Sequence, residues 1–154
     1  MSLKEGDKLP AFTLPTDEGG EVSAKSLKGK KAVIYFYPKD NTSGCTKEAC
    51  DFRDAQRDFK EAGIEVIGIS KDSLKSHAGF RTKQKLNFAL GSDEEGKACN
   101  AFGTWVEKSL YGRKYMGIER ATFLVDEKGV IRKVWHKVKV PGHVKEVLSA
   151  AKEI

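Results

Sequence analysis

Tyr35-Phe36-Tyr37-Pro38-Lys39-Asp40-Asn41-Thr42-Ser43-Gly44-Cys45-Thr46-Lys47-Glu48-Ala49-Cys50 is the stretch on which the reading of this chain turns. The apolar run Ala32 to Tyr37 predicts a buried strand, and Pro38 to Gly44 is dense in turn formers. From Cys45 onward apolar residues fall at helical spacing: Ala49, Phe52, Ala55, Phe59 and Ala62, a stripe that stops before the breaker Gly63. A cysteine therefore sits in the first turn of a helix that follows a central strand. Backbone N–H groups there lack intrahelical partners and the helix dipole adds partial positive charge, which favours a thiolate over a thiol. Cys45 is the candidate reactive group.

Working outward, Ala11 to Leu14 and Glu21 to Ser23 are expected as short strands around the turn Thr16 to Gly20, a hairpin laid onto the main fold. Val66 to Ser70 predicts a second strand buried on both faces, followed by a helix from about Ser73 to Lys85 capped by Asp72 or Ser73. Phe88 to Leu90 is a third strand and Asp93 to Phe102 a short helix. Gly103 to Gly117 reads as irregular. Arg120 to Val125 and Val130 to His136 are strands joined by the turn Asp126 to Gly129, and Pro141 or Gly142 opens a last helix to Lys152. Apolar strands alternating with amphipathic helices predict an α/β fold, a mixed sheet covered on both faces. Reactive groups in such sheets gather beyond the carboxyl ends of strands, where Pro38 to Cys45 lies.

Length and composition bound the function. The 154 residues fit one domain, 39% hydrophobic and 32% charged, with no run of membrane-spanning length. Met1 to Glu5 carries mixed charge and no apolar signal core, so a cytoplasmic protein is expected. Three cysteines are few and odd in number, which fits reactive thiols in a reducing compartment better than a disulfide framework. The net charge of +6 is spread along the chain, with only short clusters at Lys28 to Lys31 and Arg132 to Lys139, rather than gathered into a nucleic-acid stripe. Neither nucleic acid nor membrane is an expected partner.

Spacing limits the cysteine chemistry. In a helix, five steps of ~100° put Cys45 and Cys50 about 140° apart with Cα atoms roughly 8 to 9 Å from one another. A disulfide needs Cα atoms within ~7 Å. Cys45 shares the stripe of Phe52 and faces inward, whereas Cys50 faces outward, so the two can join only if the first turns unwind. Two cysteines separated by two residues, as a thioredoxin-like redox motif requires, do not occur. His77, His136 and His143 are scattered and make no zinc-finger spacing; His136 or His143 would be the base of a Cys-His hydrolase only if folding brought one to Cys45.

Pro38-Lys39-Asp40-Asn41-Thr42-Ser43-Gly44-Cys45 has the form P-x-x-x-T-x-x-C and resembles the active-site motif of peroxiredoxins. The continuation Thr46 to Cys50 with Phe52-Arg53-Asp54 looks like the bacterioferritin comigratory protein, or peroxiredoxin Q, branch. Gly6 to Phe12, Trp105 to Lys108 and Arg120 to Asp126 extend the likeness over essentially the whole chain. Ser43 departs from the pattern, standing where this branch often has proline.

The resemblance implies a thioredoxin-like fold and reduction of hydrogen peroxide and organic hydroperoxides without metal, cofactor or prosthetic group. It implies that Cys45 is the nucleophile, that Thr42 hydrogen-bonds the peroxide, and that Arg120 holds the thiolate and polarises the peroxide oxygens. Pro38 would shield Cys45. Cys50 would resolve the oxidised Cys45 by an intramolecular disulfide, with Cys99 as the competitor, and thioredoxin or a similar dithiol would recycle it. A monomer or weak dimer is expected. Read without the resemblance, Thr42 is an N-cap, Arg120 a surface partner of Glu119 or Asp126, Pro38 a strand terminator and Cys99 a packing residue. A redox sensor built on the same disulfide is the alternative function.

Overall fold

The computed structural model describes residues 3–154. Met1 and Ser2, part of the stretch read above as lacking a signal core, lie outside the described residues. The elements in chain order are β1 (Thr13–Pro15), β2 (Glu21–Ser23), β3 (Lys31–Phe36), α1 (Ser43–Glu61), β4 (Ile64–Ser70), α2 (Leu74–Gln84), β5 (Ala89–Ser92), α3 (Lys97–Ala101), β6 (Trp105–Leu110), β7 (Arg113–Ile118), β8 (Ala121–Val125), β9 (Ile131–Trp135) and α4 (His143–Ala151).

β3 is central because its sequence is apolar from Ala32 to Phe36, which suits a strand covered on both sides. It pairs parallel with β4 and antiparallel with β8, in a five-stranded mixed sheet of order β5-β4-β3-β8-β9. Its alternate side chains enter two separate cores. Val33, Tyr35 and Tyr37 pack with Phe52 and Phe59 of α1, Phe80 of α2 and Val147 of α4. Ala32, Ile34 and Phe36 face the opposite side, where Leu14 and Val22 of the β1–β2 hairpin meet Ala98 and Cys99 of α3 and Phe102. This is the expected thioredoxin-like α/β arrangement with helices on both faces and an N-terminal hairpin. Phe52 stacks on Tyr35 with ring centroids 4.5 Å apart, seating α1 against the strand that leads into it.

One region departs from the sequence reading. Gly103 to Gly117, expected as irregular, holds the antiparallel pair β6–β7. Its residues are largely solvent-facing, so the apolar alternation that marks half-buried strands is missing. The available signal was the turn: Leu110 opposes Arg113, leaving Tyr111 and Gly112 as a two-residue loop with φ of 51° and 77°. The third strand and the short helix also shift, to Ala89–Ser92 and Lys97–Ala101. Among the described residues, no helix is long and apolar enough to cross a membrane.

Candidate active site

α1 begins where β3 ends, and residues 37 to 42 make the passage between them. Thr42 occupies the N-cap position with extended backbone (φ −86°, ψ 155°), and its carbonyl accepts the first helical bond, from Thr46 N–H at 2.8 Å. Its hydroxyl does not cap the helix. It donates instead to the Lys39 carbonyl at 2.9 Å and closes the loop onto itself, which corrects the N-cap reading. The side chain is exposed beside the helix start, and Pro38 is half-buried in the same loop.

Cys45, in the first turn of α1, is 2% exposed and packs with Ala49 and Phe52. Arg120, in the short link between β7 and β8, points Nη2 at Cys45 Sγ at 3.2 Å. Nη1 of the same guanidinium donates to Glu48 Oε1 at 2.6 Å. Gly44 permits this approach, because a Cβ there would stand 3.2 Å from Nη2. Arg120 is thus a ligand of the cysteine and of a buried carboxylate. It is not the surface partner of Glu119 or Asp126, which bond His136 and Arg132 instead. Burial works against its charge, but Glu48 and Cys45 outweigh that and raise its pKa.

Glu48 was not singled out from sequence, although it lies three residues after Cys45 and four before Phe52, on the inward face of α1. It is completely buried, and burial pushes its carboxyl up to about 7 against the opposing pull of Arg120. Its second oxygen, Oε2, has no hydrogen-bond partner among the described residues. The β6–β7 pair contributes Lys108, whose ammonium pKa is lowered first by burial and then by the nearby positive charge of Arg120.

Cys50 points away from the Cys45 pocket, as helical spacing predicts. It is half-buried with Sγ 3.5 Å from Gln84 Oε1 of α2. All three cysteines are free thiols. Cys99 is fully buried, its backbone N–H bonded to Asp93 Oδ2 at 2.8 Å, and burial followed by the Asp93 carboxylate pushes its thiol pKa up. Trp105 is half-buried under the ammonium of Lys71, and Tyr111 stands almost wholly in solvent.

The three histidines bond elsewhere than Cys45. His77 meets Asp40, His136 meets Glu119, and His143 meets Thr122 at 2.8 Å in the interior, where burial pushes its imidazole down to about 4. A cysteine next to a guanidinium, with no imidazole on the sulfur, is arranged for attack on a small electrophile whose developing negative charge the arginine can meet.

Residues 5–134 match the AhpC/TSA family. A Coxiella burnetii relative that carries the bcp peroxiredoxin name is 57% identical over 148 residues, covering 96% of this chain and 98% of its own. Peroxiredoxin Bcp of Bacillus subtilis is 47% identical and covers 100% of this chain and 98% of its own. The solved structure of the bacterioferritin comigratory protein of Xanthomonas campestris superposes with a TM-score of 0.89 at 40% identity, covering 96% of this chain and 98% of that one. That protein's alkyl peroxide reduction activity was studied through trapped intermediate and ligand complexes. Sequence and fold agree along the length of the molecule, and the chain belongs to the AhpC/TSA family as a thiol peroxidase of the Bcp and peroxiredoxin Q branch of peroxiredoxins.

Proposed function

We propose that Cys45 reduces hydrogen peroxide and organic hydroperoxides, and that Cys50 returns it to service. The Cys45 thiolate attacks the terminal oxygen of ROOH, the O–O bond breaks, and RO⁻ leaves and takes a proton to become ROH. The sulfur is oxidised to sulfenic acid as the peroxide is reduced. Arg120 offers its N–H groups and charge to the oxygens as negative charge builds on them. Thr42 turns its hydroxyl from Lys39 to the peroxide, and Pro38 shields the pocket from solvent. Glu48 is a positioning residue that fixes the guanidinium from behind.

The Cys50 thiol then condenses with the sulfenic acid, forming the S–S bond and releasing water. α1 must unwind over its first turns for the two sulfurs to meet, because they leave the helix on different faces. A dithiol protein of the thioredoxin kind takes the disulfide by exchange, is itself oxidised, and leaves Cys45 and Cys50 as thiols. The alkyl peroxide reduction studied in the Xanthomonas campestris relative supports the substrate class. A monomer or weak dimer is the working unit of this reading, and cysteines few and odd in number favour a cytoplasmic setting.

The observation that carries this reading is Cys45 Sγ held 3.2 Å from a guanidinium that a buried carboxylate holds in turn. Peroxide consumption coupled to thioredoxin and its reductase tests it. Multiple turnovers are expected from the natural protein and none from Cys45→Ser. Retained turnover in that variant refutes the nucleophile, and a single oxidation without turnover in the natural protein points to a redox sensor instead.

A further inference from the structure

Asp40 lies in the loop between β3 and α1, where its neighbours Asn41 and Thr42 are exposed, yet it is only 4% exposed. Its carboxylate accepts three hydrogen bonds: from Tyr37 OH to Oδ1 at 2.6 Å, and to Oδ2 from Ser76 Oγ and His77 Nδ1, each at 2.8 Å. Its backbone N–H donates to Asp72 Oδ2 at 2.8 Å, an oxygen that also accepts from Ser70 Oγ at 2.7 Å. His77 is fully buried in α2, with Nε2 3.0 Å from the Gly91 carbonyl. Acceptors face both ring nitrogens, so both must carry protons and the ring is an imidazolium paired with the Asp40 carboxylate.

The charged and titratable groups facing that ring are Asp40, Tyr37, whose hydroxyl is 3.4 Å from Nδ1, and Asp72. Burial alone would push His77 down, but the hydrogen bond and charge of Asp40 outweigh it and raise the pKa. Burial would likewise push Asp40 up, and the bonds from His77 and Tyr37 bring it below the ordinary carboxylate value. The pair is therefore complete between those two titrations. As pH rises through the raised His77 value, the ring loses its charge and one of its two donated hydrogen bonds, and the ion pair is lost. As pH falls through the lowered Asp40 value, it is lost from the other side.

The position of this pair gives it a consequence for Cys45. Asn41, the next residue, is in the left-handed region at φ 64°, which asparagine adopts more readily than other side chains, and it turns the chain from the anchored Asp40 into the start of α1. The last residue of α2 also grips α1 near its middle, through Arg53 Nη1 to the Gln84 carbonyl at 2.7 Å and Cys50 Sγ beside Gln84. One helix thus clamps both ends of the segment that carries the two cysteines. We propose that the Asp40–His77 ion pair is a positioning pair that anchors the loop before Cys45, marks where unwinding of α1 begins, and makes the release of residues 41 to 50 proton-dependent. The proposal rests on the reading that Cys45 and Cys50 join after α1 unwinds.

Amide hydrogen–deuterium exchange of the reduced full-length protein across a pH series tests it without peroxide. Corrected for intrinsic chemical exchange, peptides covering 41–50 are expected to speed up about tenfold as pH rises through the His77 titration. In Asp40→Asn, and separately in His77→Asn, the same peptides should exchange about tenfold faster at neutral pH and keep only the pH step that Glu48 contributes near 7, while β3 and β8 stay protected. Slow, pH-independent exchange of 41–50 in the natural protein overturns the proposal. So does acceleration spread evenly over β3 and β8, which marks general destabilisation. Failure of the peroxidase reading shows separately, as absence of Cys45 oxidation in the natural protein.

Discussion

Arg120 Nη2 and Cys45 Sγ are 3.2 Å apart although 75 residues of chain separate them. The antiparallel register of β3 and β8 brings this about, because Phe36 opposes Ala121 and the end of one strand meets the start of the other. Arg120→Lys keeps a positive charge but loses the fork that serves Cys45 and Glu48 together. The second-order rate of Cys45 oxidation by peroxide should fall about 100-fold, as for loss of a donor aimed at developing negative charge. Stopped-flow tryptophan fluorescence or competition with a second peroxidase measures it, and an unchanged rate would remove Arg120 from the chemistry.

Glu48 makes stability depend on pH in a definite direction. Its carboxyl is raised in the folded chain from 4.5 to about 7, so the folded state holds a proton that the unfolded chain releases at lower pH. The stabilisation this proton provides is complete below the unfolded value and disappears as pH rises through about 7. The shift is worth on the order of 3 kcal/mol. Thermal unfolding from pH 5 to pH 8 should show a decline that Glu48→Gln flattens. An identical slope in both proteins would contradict the assignment.

Gly68 in β4 faces Tyr35, and a Cβ there would come within 2.8 Å of the ring. That ring lies against Phe52 of α1, so it has no free space to move into. Gly68→Ala should therefore lower stability by about 1 to 3 kcal/mol in denaturant titration, the range for an overpacked core. A neutral effect would mean that the seat of α1 is looser than its packing indicates.

The architecture was legible wherever burial imposes a pattern. β3, β4 and β8 are near-continuous apolar runs, and α1 shows its buried stripe through Ala49, Phe52 and Phe59. The β6–β7 pair was not legible, because Glu107, Ser109, Arg113 and Lys114 face solvent and no core dictates their alternation. Cys45 was legible from its place after a central strand, and Arg120 only through likeness to a family. The partnerships Arg120–Glu48 and Asp40–His77 span 72 and 37 residues, and long-range register decides them where local periodicity is silent.

The two remaining thiols separate by environment. Cys50 is half-buried where α1 meets Gln84 of α2, whereas Cys99 is fully buried and bonded through its backbone to Asp93. Cys50→Ser should allow one round of peroxide reduction and then stall in the thioredoxin-coupled assay. Cys99→Ala should retain the full cycle, with a modest loss of stability of about 1 kcal/mol for the small cavity. The reverse pattern would make Cys99 the resolving thiol.

The central claim is that a helix start holds Cys45 reactive and must then come apart to let Cys50 reach it. Peptide mapping by mass spectrometry after one equivalent of peroxide tests this most directly. The predicted product has lost two hydrogens, carries a Cys45–Cys50 disulfide and keeps Cys99 as a free thiol. A Cys45–Cys99 bridge, or a persistent sulfenic acid at Cys45 beside a free Cys50, would contradict it.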